Sequence, residues 1–234
     1  MMFSRWRAAG NEYLLAERAE LGRPLTADSV RAEVGGADGI LEVVRVDGEE
    51  AEIVIWNPDG SVAELSGNGT RIAARWLAER TGATVVRIRV GPREVVARMI
   101  DDGLIEQELG PFKVHEGERI AGLHVVAVSV GNPHAVVVGD PDDLPLIGPL
   151  LETHPRFPGR TNVQVARVDA PGRVTARVWE RGAGETLSSG TSAVAVAAAT
   201  HGEGEVAVSF PGGVLQVRLA GGRAWLTGPA ERVD

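Results

Sequence analysis

Serine followed by glycine occurs twice in this sequence, each time in a setting where it could do chemistry. Leu65-Ser66-Gly67-Asn68-Gly69-Thr70 and Ser188-Ser189-Gly190-Thr191-Ser192 each join a strand-like segment to a helical one. The glycines let the chain turn closely, and the first N–H groups of the helix that follows have no intrahelical acceptor. Such groups, with the helix dipole behind them, hold an anion such as a carboxylate. A serine there is also an ordinary N-cap, its commonest use. Two of them at matching places imply more. A ligand carboxylate held by both helix starts in one interlobe cleft would meet Ser66 on one face and Ser189 on the other. Inversion of a stereocentre needs that arrangement, because one group removes the α-proton and the other returns a proton to the opposite face. Donors at the helix starts would oppose the charge that develops on the carboxylate as the proton leaves, without a cofactor.

The elements that must position these residues come from a chain written twice. Trp56 and Trp179 are separated by 123 positions, and so are Ser66 and Ser189. Gly10-Asn11 and Gly131-Asn132, Arg45-Val46-Asp47 and Arg167-Val168-Asp169, and Gly110-Pro111 and Gly228-Pro229 recur at nearly the same shift. Each half reads as short alternating strands around one helix: Ala51–Trp56, Val85–Val90 and Glu94–Met99 in the first, Val174–Trp179, Glu205–Ser209 and Val214–Leu219 in the second. The first helix is expected from about Asn68 to Arg80, with Ile72, Ala73, Trp76 and Leu77 on one stripe, an Arg75–Glu79 pair, and a stop at Gly82. The second, Thr191 to Thr200, has no polar face and must be buried on all sides inside a curved sheet. Shorter helices are expected at Thr26–Glu33 and Leu144–Glu152. The fold class is therefore α+β, with two pseudo-symmetric lobes, each a curved, mostly antiparallel sheet around a central helix. Residues 1–112 make the N-terminal lobe and 113–225 the C-terminal lobe, with a last strand, about 226–234, returning to the first.

Composition narrows the function. The 234 residues are 44% apolar and carry a net charge of −8, with no basic cluster. That excludes a nucleic-acid or anionic-membrane partner and favours a small molecule. No run approaches the length of a membrane span, and the start lacks the apolar core of a signal peptide, so a cytoplasmic location is expected. Cysteine is absent, which removes disulfides, thiolate metal sites and thiol catalysis. The histidines, His115, His124, His134, His154 and His201, show no metal-ligand spacing. His134, after Asn-Pro and before an apolar strand, reads as a hydrogen-bonded structural residue in preference to a base.

Several motifs in order resemble the diaminopimelate epimerase family: Gly10-Asn11, Asn57-Pro58-Asp59-Gly60-Ser61, Gly67-Asn68-Gly69, Gly131-Asn132-Pro133-His134-Ala135, Arg160-Thr161-Asn162-Val163, Trp179-Glu180-Arg181-Gly182-Ala183-Gly184-Glu185-Thr186 and Thr227-Gly228-Pro229-Ala230. The resemblance implies a cofactor-independent epimerase of a diaminopimelate-like amino acid, serving lysine and peptidoglycan precursor synthesis as a homodimer. It implies that Asn11, Asn57, Asn132, Asn162, Glu180 and Arg181 line the substrate site, with Arg181 gripping the distal carboxylate through its planar fork. Gly67, Asn68, Gly190 and Thr191 would bind the reacting carboxylate. Each has a plainer alternative: Asn11, Asn57 and Asn132 as turn residues, and Glu180–Arg181 as an exposed ion pair.

The family places cysteines where this chain has Ser66 and Ser189, and those thiols are its acid–base pair. An alcohol does not titrate near neutrality and acts only beside an activating base. Three accounts follow. The serines belong to an epimerase that is weakened or helped by another base, or they replace the thiols of a competent parent. In the third, the scaffold serves a carboxylate-using isomerase of the phenazine-biosynthesis type or a non-catalytic amino-acid-binding protein. Glu64 and Glu185 are the nearest carboxylates in sequence.

Overall fold

A computed structural model describes residues 3–101 and 103–233. The chain divides into two compact units, Met1–Gln107 with Gly228–Asp234, and Glu108–Thr227.

In the first unit, β1 (Ser4–Ala8) and β2 (Asn11–Glu17) form a hairpin whose two-residue turn, Ala9-Gly10, has positive φ at both positions. That geometry matches the twist of the paired strands. After α1 (Arg18–Leu21) and α2 (Ala27–Glu33) come β3 (Gly39–Asp47), β4 (Glu50–Trp56), α3 (Gly67–Thr81), β5 (Val85–Val90), β6 (Arg93–Asp101) and β7 (Leu104–Pro111), in which the unit boundary falls. β2 pairs with β3 in parallel, β3 with β4 antiparallel, β4 with β5 in parallel and β5 with β6 antiparallel. Helix α3 touches β1, β2, β4, β5 and β6, so the sheet curves around it. Its buried Ile72, Ala73 and Leu77 meet Leu41, Ile53, Ile55, Ile88 and Ile105 in the unit's main core. Arg75 and Glu79 pair at 2.7 Å, and Gly82 ends the helix at φ 75°, its N–H on the Ala78 carbonyl. Only glycine takes that conformation without strain.

The second unit repeats the plan. β8 (Lys113–Val114) and β9 (Glu118–Ile120) flank β10 (Leu123–Ser129). Then come β11 (Pro133–Val138), a 3₁₀ turn at Pro141–Asp143, α4 (Leu144–Glu152), β12 (Asn162–Ala170), β13 (Arg173–Glu180), β14 (Gly184–Thr186), α5 (Gly190–Thr200), β15 (Gly204–Phe210), β16 (Gly213–Ala220) and β17 (Arg223–Pro229). The pairings run in the same order: β10–β11 antiparallel, β11–β12 parallel, β12–β13 antiparallel, β13–β15 parallel and β15–β16 antiparallel. Helix α5 touches β10, β11, β12, β13, β15 and β16, and every residue from Gly190 to Ala198 is buried. Its Ala/Val stretch from Ala193 to Ala199 thus has a strand on every side, as a helix without a polar face requires. The chain closes with β18 (Glu231–Arg232), antiparallel to β1 in the first unit.

Candidate active site

The strand β4 leads into a tight loop before α3. Asn57 donates from its backbone to the Ser61 carbonyl (2.8 Å) and from its side-chain amide to the Ser61 hydroxyl (2.9 Å). Asp59 accepts from the Ser61 N–H and hydroxyl. Gly60, at φ 83°, is so close to Ala27 that a Cβ would lie 2.6 Å from its carbonyl oxygen. Asn57 thus has its amide nitrogen engaged in the loop.

Ser66 is the N-cap of α3. Its extended backbone (φ −133°, ψ 119°) turns the chain, and its Oγ accepts from the Gly69 N–H at 3.0 Å. The same Oγ lies 3.1 Å from the Tyr13 phenol of β2. Residues Gly67 to Ile72 are all buried. A Cβ at Gly69 would lie 3.0 Å from Leu41 and 3.3 Å from Ser66, so a side chain there would press on both. Asn68 accepts a hydrogen bond from Arg71 Nη2. Arg71 is fully buried and, among the described residues, has no carboxylate partner and leaves Nη1 without a hydrogen-bond partner. Burial lowers its pKa to about 10, and the Tyr13 phenol acts in the opposite direction. Buried Gln107 supports the turn: with its amide nitrogen toward the Gly67 carbonyl (3.0 Å), its oxygen accepts from the Thr70 hydroxyl (2.7 Å). Asn11, also buried, begins β2 two residues before Tyr13.

In the second unit Ser189 is the N-cap of α5, but its side chain makes no capping bond. It is buried, as are Gly190, Thr191 and Ser192. A network of side chains fixes the first turn from behind. Gln164 of β12 donates to Ser192 Oγ (2.9 Å) and to His134 Nδ1 (3.1 Å). His134 Nε2 donates to Asn132 Oδ1 (2.9 Å), and the Asn132 amide donates to Thr191 Oγ1 (3.3 Å). These bonds place the ring proton on Nε2. Burial pushes His134 down to about 3, with Arg181 nearby acting the same way. It is neutral at physiological pH and holds Asn132 in place, in keeping with a structural histidine.

Asn162 ties two strands together, donating to the Pro133 carbonyl (2.9 Å) and accepting from the Arg181 backbone N–H (3.0 Å). Glu180 accepts from the Thr186 hydroxyl at 2.7 Å, and exposed Arg181 donates to the Gly159 carbonyl at 3.2 Å. The adjacent charges thus face other partners. Glu185 is held by both Arg177 Nε (2.7 Å) and Nη2 (2.9 Å), which occupies both its oxygens. Glu64 is exposed.

Sequence reasoning missed Tyr13, Arg71, Gln107 and Gln164. One signal was available for the first: Tyr13 follows Asn11 by two positions as His134 follows Asn132, so both sit at one place in the duplicated hairpin.

The sequence profile of the diaminopimelate epimerase family matches residues 126–233. The diaminopimelate epimerase of Synechococcus elongatus is 35% identical over 269 aligned positions, which cover all of this chain and 96% of that protein. Two solved structures share the fold at low identity. A predicted epimerase of Pseudomonas aeruginosa has a TM-score of 0.75 at 14% identity, covering 99% of this chain and 96% of that one. A phenazine biosynthesis protein of Bacillus anthracis has 0.73 at 15%, with the same coverage. The α+β architecture is common to them at 14–15% identity, while the 35% identity with the Synechococcus elongatus relative runs the length of both chains. With that full-length identity, the chain belongs to the diaminopimelate epimerase family.

Proposed function

We propose that this chain binds diaminopimelate, or an amino acid closely like it, and inverts its α-carbon slowly, with Ser66 and Ser189 at the positions of the family's acid–base pair. The observation that carries the reading is that each serine is the N-cap of a buried central helix. The N–H groups of Gly67-Asn68 and Gly190-Thr191 are therefore positioned to receive a carboxylate. On this reading Asn11, Asn132, Asn162, Glu180 and Arg181 recognise the rest of the amino acid, and Asn57 shapes the loop that precedes Ser66. No cofactor is needed, because the helix starts oppose the negative charge that forms as the proton leaves. The metabolic role is the family's, in the supply of lysine and peptidoglycan precursors, and the active form is a cytoplasmic homodimer.

Two hydroxyls in place of two thiols remove the groups that ionise near neutrality, and each lost acid–base group costs roughly 10²–10⁴-fold. Conversion of L,L- to meso-diaminopimelate is expected to be slow in this chain and faster by at least ~10²-fold in Ser66→Cys with Ser189→Cys. Tight binding of diaminopimelate with no conversion by either form would identify a binding protein. Absence of both binding and conversion would remove the reading altogether.

A further inference from the structure

The two serines do not have equal surroundings. Ser189 makes no capping bond, and the residue of its unit that corresponds to Tyr13, His134, gives its ring nitrogens to Asn132 and Gln164. Ser66 has the Tyr13 phenol at 3.1 Å. Tyr13 is 8% exposed, in the same core cluster as Trp6 and Leu41. Its ring is held in place, since a Cβ on Gly39 of the adjacent strand would lie 2.8 Å from it. Arg71, a buried guanidinium that makes no ion pair with a carboxylate among the described residues, acts on it electrostatically.

Resting on the function proposed above, we propose that Tyr13 is the base behind Ser66, so that this chain carries one working proton-transfer group where its relatives carry a thiol pair. Serine becomes a proton acceptor only when a neighbour takes its own proton, and Tyr13 is the neighbour in hydrogen-bond reach. The step balances. Ser66 Oγ takes the α-proton while its hydroxyl proton passes to the Tyr13 phenolate oxygen. The C–H electron pair stays on the substrate as an enediolate, facing the N–H groups of the α3 turn. Reversal returns a proton to the same face, and in heavy water a deuteron exchanged onto the phenol returns in its place. A phenol ionises near 10 in water. The buried Arg71 cation interacts electrostatically with this phenol. Tyr13 acts through Ser66 and so positions and charges it without touching substrate.

The inference separates hydrogen exchange from inversion. The full-length chain, with L,L- and meso-diaminopimelate in heavy water, should take up α-deuterium far faster than it epimerises, and from one α-carbon configuration in preference to the other. Tyr13→Phe should slow this exchange by ~10²–10⁴-fold while calorimetric affinity for diaminopimelate changes less than about threefold. Ser66→Cys supplies its own ionisable group, so adding Tyr13→Phe to Ser66→Cys should leave exchange within about threefold. An equal loss in both backgrounds would make Tyr13 a packing residue and overturn the inference. So would undiminished exchange in Tyr13→Phe, equal exchange from both configurations, or binding without exchange in the parent. If the parent fails to bind diaminopimelate at all, the functional reading fails first and this one with it.

Discussion

His134 illustrates how a titratable residue beside a presumed site can be structural, and its environment makes that reading measurable. Burial takes the ring from 6.5 to about 3, so between those values the unfolded chain binds a proton that the folded chain does not. The sign follows: stability rises with pH through this window. The contribution of the neutral ring is complete above about pH 6.5 and drains away as pH falls toward 3. Its size is on the order of a few kcal/mol, at ~1.4 kcal/mol for each tenfold change in proton affinity. His134→Gln, which does not titrate, is expected to lose about 1–3 kcal/mol at pH 7 through disturbed bonds to Asn132 and Gln164, and to show a shallower acid limb. Urea midpoints at pH 7, 5.5 and 4.5 compare the two. Parallel pH profiles would show that His134 takes up its proton in the folded state after all. The residue's role was legible in its sequence neighbours, but Gln164, thirty positions away, was not.

Helix α3 and helix α5 occupy the same place in the repeated plan yet start differently. Ser66 closes a capping bond to Gly69 at 3.0 Å, whereas Ser189 closes none. Loss of a cap costs ~1 kcal/mol, so Ser66→Ala should lower stability by about 1–2 kcal/mol, and Ser189→Ala by less than about 0.5. Thermal melts of the two single variants would decide it, and equal shifts would mean that the caps do not differ in solution. The helices and strands themselves were readable because each carries a local signal. Arg75 and Glu79 sit one turn apart, Gly82 supplies the left-handed stop, and the Ala/Val run of α5 lacks any polar stripe. Contacts between distant positions carry no such mark. Tyr13 reaches Ser66 across 53 positions, because the β2–β3 register sets the ring over Gly39. Gly39→Ala puts a Cβ 2.4 Å from the Trp56 carbonyl and 2.8 Å from that ring. Its cost is expected at the upper end of the ~1–3 kcal/mol of overpacking.

Across the whole chain, duplication was the most legible feature, because matched tryptophans, serines and glycines recur at nearly one shift and the strand pairings recur with them. What duplication did not preserve is the element that supplies the carboxylate anchoring each unit's tryptophan. In the first, Trp56 Nε1 donates to Glu42 Oε2 at 3.0 Å, and the same carboxylate takes Arg18 at 2.7 Å and the Leu25 N–H at 3.1 Å. In the second, Trp179 Nε1 donates to Glu152 Oε2 at 2.8 Å, joined by Arg160 and the Gly182 N–H at 2.7 Å. Glu42 comes from a strand and Glu152 from the end of α4, so no repeat search could pair them. Each buried carboxylate offers acceptors alone to an indole, a backbone amide and a guanidinium. An amide of the same size turns one acceptor into a donor facing donors and strands the arginine. Charge-assisted bonds of this kind are worth ~1.5–3 kcal/mol each when one partner is lost. Glu42→Gln and Glu152→Gln should therefore each cost about 2–4 kcal/mol, and amide exchange should accelerate first at Leu25 in the one variant and at Gly182 in the other. If both variants melt with the parent and keep those amides protected, the shared carboxylate does not anchor the tryptophans, and the two units owe their common plan to apolar packing alone.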